Sequence, residues 1–91
     1  MRRDPDKIAS LNDQIERGQH AEELNKSAAF KSVMDGLRRE MQAELINARD
    51  NEAVLMAGHA LRSFLDMENS INSIALNGRL AVKKLENMSD D

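Results

Sequence analysis

The stretch AAFKSVMDGLRREMQAELINA, Ala28–Ala48, decides the fold. Phe30, Val33, Leu37, Met41, Leu45 and Ala48 recur in it at spacings of three and four, the stripe of an amphipathic helix. Lys31, Arg38, Glu40 and Glu44 fall mainly off that stripe. Ser27 is placed to cap the helix, but Phe30 stands three residues later, so the reciprocal capping box is missing. Gly36 interrupts the helix interior, at a cost of about 1 kcal/mol relative to alanine.

Asn47 to Asn51 reads as a turn, with Asp50 or Asn51 capping a following helix and Glu52 placing negative charge in its first turn. A connection this short makes the flanking helices antiparallel neighbours. The last helix presents Leu61, Phe64, Leu65, Glu68, Ile71, Ala75, Gly78, Val82 and Leu85 along one face. Val54 and Gly58 feed the same side. Asn77-Gly78 carries a C-cap signal. Against it, Leu61, Glu68, Ala75 and Val82 keep a seven-residue spacing that predicts helix through to about Leu85. Phe30, Leu37, Leu61 and Leu65 head these periodicities and are the expected hairpin core.

Ahead of the main stretch, Asp4-Pro5-Asp6 is a helix start, with Pro5 at the first helical position. Ile8, Leu11 and Ile15 mark one face, and Arg17-Gly18 reads as a basic last turn and a stop. Ala21 to Leu24 forms a further weak helical turn. This N-terminal segment is either an arm packed on the hairpin or a mobile arm that docks on a partner. The expected architecture is all-α: an antiparallel helical hairpin of two long helices with a short N-terminal helix. Its parts are an N-terminal helical arm (1–26), the hairpin (27–86) and an acidic tail (87–91).

Composition points the same way. Leu, Ala, Met and Ile supply most of the apolar content, there are three Val, and Thr, Trp, Tyr and Cys are absent. Such a supply favours helices over sheet and rules out disulfides and thiolate metal sites. With 13 basic and 16 acidic residues the net charge is -3, too mild to steer the chain toward phosphate backbones. No apolar run approaches a membrane span, so no membrane role is expected. A chain of 91 residues is one domain by its size, and its core is small.

The inventory of chemistry is thin. His20 and His59 are far apart in sequence, and no HExxH motif accompanies them. Glu40 and Glu44 form a four-spaced carboxylate pair on a surface that offers no enclosure. No Gly-rich phosphate loop is present. The sequence therefore predicts no catalytic residue, no cofactor and no metal site. Glu68 is distinctive because a carboxylate on the apolar stripe needs a partner, and Arg38 or Arg39 can supply one. Arg38, Arg39, Arg79, Lys83 and Lys84 make up a candidate basic patch, with Arg2-Arg3 a further small group. Leu55, Met67, Ile71, Ile74 and Leu76 are apolar residues that one stripe cannot absorb, and they form a candidate interaction face.

Residues 21–81 resemble a family of small bacteriophage-encoded helical proteins of unassigned function. The resemblance lies in Ala21-Glu22-Glu23-Leu24, Ala29-Phe30, Leu37, Met41, Leu45, Arg49-Asp50-Asn51-Glu52, Leu61, Leu65, Ile71 and Asn77-Gly78-Arg79-Leu80-Ala81. Ser27-Ala28 stands where that family carries a proline. The resemblance implies a phage-encoded helical hairpin, often encoded among head-assembly and DNA-packaging genes, and implies no catalytic residues. The expected function is a non-enzymatic interaction protein, a virion or assembly accessory that docks on a larger phage protein or self-associates. It would work in the host cytoplasm or within the virion. The alternatives are a nucleic-acid-associated packaging or regulatory accessory, which the charge does not favour, and an inhibitor of a host enzyme.

Overall fold

The computed structural model describes residues 4–89, which form three helices: α1 (Pro5–Lys26), α2 (Ala28–Asn47) and α3 (Asn51–Ser89). Among the described residues there is no strand. Arg2-Arg3 and the end of the expected acidic tail lie outside them. The part of the tail that is described, from Asn87 to Ser89, is the last turn of α3.

Each helix starts on the cap its sequence supplies. Asp4 accepts from the backbone N–H of Asp6 at 3.0 Å, just ahead of Pro5. Ser27 Oγ accepts from the Phe30 N–H at 3.2 Å. Asp50 Oδ1 accepts from the Ala53 N–H at 2.8 Å, so of the two cap candidates for α3 it is Asp50 that serves. Each bond satisfies an amide that the first helical turn leaves without a partner.

The chain divides into two compact units, one comprising Met1–Leu24 with Ile71–Asp91 and the other Asn25–Ser70. In the first unit α1 runs antiparallel to the C-terminal half of α3. Leu11, Gly18 and Ala21 are buried on α1, and Ala75, Gly78 and Ala81 on α3. Apart from Leu11 these are very small residues, so backbone packs on backbone. A Cβ built on Gly18 would lie 2.7 Å from the Cα of Gly78 and 3.1 Å from the carbonyl oxygen of Ile74. This contact corrects the reading of Gly18 as a stop. Neither glycine has a positive φ, and both helices pass straight through. The missing side chain is used for close approach between helices instead of for a left-handed cap. As a result α1 is a helix of 22 residues that absorbs the turn at Ala21–Leu24.

In the second unit α2 runs antiparallel to the N-terminal half of α3. Met34 and Phe64 are its buried large side chains, at 6% exposure each. Phe30, Met41, Leu45, Ala57 and Leu61 are half-buried beside them. The expected core is corrected in part here. Phe30 and Leu61 do face inward, but Leu37 and Leu65 are 37% and 42% exposed, and Val33 is 60% exposed. The apolar arc of α2 is wider than one neighbouring helix can cover. The inward line therefore follows Phe30, Met34, Met41 and Leu45, and leaves Val33 and Leu37 on its flank.

Candidate functional site

Glu68 is half-buried on the inward side of α3 and bonds to Arg38 of α2. The other arm of the same guanidinium reaches Asp35 Oδ1 at 3.1 Å, and its carbon lies 5.9 Å from the centroid of the Phe64 ring. Arg38 thus closes the flank of the core with two carboxylates and an aromatic face. The hydrogen bond to Glu68, followed by the charge of that carboxylate and of Asp35, raises the Arg38 pKa beyond its already high ordinary value. In the first unit Arg79 Nε donates to Glu22 Oε1 at 2.5 Å. Arg79 is largely exposed, and such a surface pair contributes less than about 1 kcal/mol.

These pairs bear on the basic patch. Arg38 and Arg39 belong to the second unit, and Arg79, Lys83 and Lys84 to the first. Two of the five cations, Arg38 and Arg79, are engaged by carboxylates of the same chain. Arg39, Lys83 and Lys84 are exposed.

The candidate interaction face is also divided. Ile71 and Ile74 are half-buried in the first unit, where with Leu24, Ala21, Arg17 and His20 they line an open depression of about 240 Å³. α1 covers them in part, so part of the apolar surplus is absorbed within the chain. Leu76 in the same unit is 54% exposed. Leu55 and Met67 belong to the second unit and are 63% and 45% exposed. A second depression, of about 150 Å³, is lined by Ile15, Gly18, Glu22, Ala75, Gly78 and Val82. Both are smaller than the roughly 300 Å³ at which small-molecule pockets begin.

Met67 of that face belongs to a longer exposed strip. Met56, Ala60, Ser63 and Met67 are exposed and recur at spacings of four, three and four along α3. This heptad line carries no charge.

Among the described residues, no helix is long and apolar enough to cross a membrane, and no group of three or more His, Asp or Glu side chains is placed to hold a metal ion. No family model, curated protein or solved structure matches the chain.

Proposed function

We propose that this chain is a non-enzymatic helical interaction protein, a virion or assembly accessory of the bacteriophage kind its sequence resembles. It acts by docking on a larger protein or on itself. The observation that carries this reading is the balance of apolar side chains. Among the described residues the large buried ones are Leu11, Met34 and Phe64, whereas twelve large apolar side chains are at least 37% exposed. Single exposed apolar residues are ordinary, but a surplus of this size marks surface that another protein covers.

The test is light scattering of the purified chain together with affinity capture from phage-infected cells. A discrete oligomer, or a stoichiometric complex with a phage structural protein, supports the reading. A stable monomer that retains no phage protein overturns it. The nucleic-acid alternative predicts binding that weakens steeply with salt. Fluorescence anisotropy at about 50 mM and about 200 mM salt separates it from protein docking.

A further inference from the structure

We infer that Asn77–Gly78 is a self-modification site that the docked α1 holds dormant. When α1 lifts from α3, the Gly78 nitrogen closes on the Asn77 side chain, and the chain passes irreversibly to a form in which α1 no longer seats. The first observation is the residue pair. Asparagine is chemically labile because its carboxamide carbon can be attacked by the next backbone nitrogen. A side chain on the following residue obstructs that attack, and glycine has none. Of the asparagines in the chain, Asn77 alone precedes a glycine. The step balances within the chain. The Gly78 nitrogen bonds to Asn77 Cγ and gives up its proton, and ammonia leaves. Water then opens the cyclic imide at either carbonyl, leaving aspartate or isoaspartate at position 77.

The second observation is what the fold does with that nitrogen. Gly78 is buried, and its N–H lies inside a helix, where it is committed to the carbonyl four residues back, that of Ile74. Both atoms of this bond lie under α1. A Cβ on Gly18 would stand 3.2 Å from the Gly78 nitrogen and 3.1 Å from the Ile74 oxygen. Ring closure requires the Gly78 peptide to leave its helical orientation, and it cannot do so while the α1 backbone is packed on it. Asn77 itself is exposed, so water for the second step is at hand. The glycine that permits the close approach is also the one that makes Asn77 labile, and the same contact suppresses the reaction.

The third observation is how lightly α1 is held. Its buried residues are Leu11, Gly18 and Ala21, so one large side chain anchors it. Its ion pair to α3, from Glu22 to Arg79, is largely exposed on the arginine side. Ser27 caps α2 with its own side chain, so α2 keeps its start when α1 leaves. An element held by few apolar contacts opens locally, below the free energy of global unfolding. The isoaspartyl product lengthens the main chain of α3 by one atom and breaks its hydrogen-bond ladder where α1 would seat, which makes the change one-way.

The experiment is incubation of the full chain in mildly alkaline buffer, with peptide mass mapping of position 77 and isoaspartyl methyltransferase labelling. A matched incubation in concentrated urea gives the rate of the open chain. Folded wild type is expected to convert at least about a hundredfold more slowly than the urea sample. Gly18→Leu is expected to convert about tenfold faster than folded wild type, or more. Leucine favours helix more than glycine does, so that gain comes from the lost contact. Gly58→Ala, at a helical glycine whose Cβ would meet nothing within 4 Å, should match wild type. Hydrogen exchange of wild type supplies a readout that needs no variant to fold. In sub-denaturing urea, conversion should rise in parallel with exchange of the α1 amides and ahead of exchange around Phe64. Folded wild type that converts as fast as the urea sample overturns the shield. A Gly18→Leu chain whose α1 amides exchange freely while Asn77 converts at the wild-type rate overturns α1 as its source. Conversion that rises only with exchange around Phe64 overturns local release of α1 as the gate. Converted chain whose α1 amides stay as protected as those of wild type overturns the one-way step.

Discussion

Replacing Gly78 by alanine sets two energies against each other. An alanine in place of an interior helical glycine gains about 1 kcal/mol of helix propensity. The new Cβ, however, would stand 2.8 Å from the Cα of Gly18 and 3.1 Å from the carbonyl oxygen of Gln14. Both are backbone atoms, so no side chain can rotate away, and α1 and α3 must separate locally. Overpacking of this kind costs about 1–3 kcal/mol. The net expectation is a loss of up to about 2 kcal/mol. Gly36 and Gly58 provide the internal control. They are also helical, but a Cβ on either meets nothing within 4 Å. Alanine there should gain about 0.5–1 kcal/mol. A kcal/mol shifts the melting midpoint of a domain this size by about 4–8 °C. Gly36→Ala and Gly58→Ala should therefore melt a few degrees above wild type, and Gly78→Ala and Gly18→Ala below it. Thermal melts followed at 222 nm should be run at one fixed chain concentration, because any self-association would make the midpoint concentration-dependent. The double variant Gly18→Ala/Gly78→Ala should depart from additivity, since both changes load one contact. If Gly78→Ala melts as high as Gly36→Ala, the close backbone approach is refuted.

Three other outcomes follow from the second unit. Phe64→Ala should cost about 3–5 kcal/mol in urea unfolding, whereas Leu37→Ala should cost about 1 kcal/mol or less; equal losses would show that Leu37 faces the core. Asp50→Ala removes the cap of α3 and should cost about 1 kcal/mol, with Asp50→Asn close to wild type in the same assay. The third concerns pH. Arg38 is a base whose folded pKa is raised, so its contribution is fully present below the ordinary arginine range and is lost only as pH climbs through the raised value in strong alkali. The difference in unfolding midpoint between wild type and Arg38→Met should then stay constant from about pH 7 to about pH 10, and a difference that fades within that window would contradict the pairing.

The sequence by itself determined what depends on neighbours along the chain. Asp4, Ser27 and Asp50 begin helices because their side-chain oxygens reach amides two or three residues on. The seven-residue spacing from Leu61 to Val82 carried α3 through Gly78. The demand that Glu68 be paired was also legible, since a carboxylate on an apolar face is costly alone. The tertiary structure decided what depends on the partner surface. Gly18 reads locally as a stop, and only the facing Gly78 turns it into a point of contact. Phe30, Val33 and Leu37 share one apolar arc, and periodicity cannot tell which edge of a broad arc meets the next helix. Arg38, not Arg39, meets Glu68, and on the same helix Met34 is buried while Val33 is 60% exposed. The exposure of Met67 followed for the same reason: burial is set by which surface the neighbouring helix covers, and α2 buries Phe64 while Leu65 and Met67, to either side of it, stay 42% and 45% exposed.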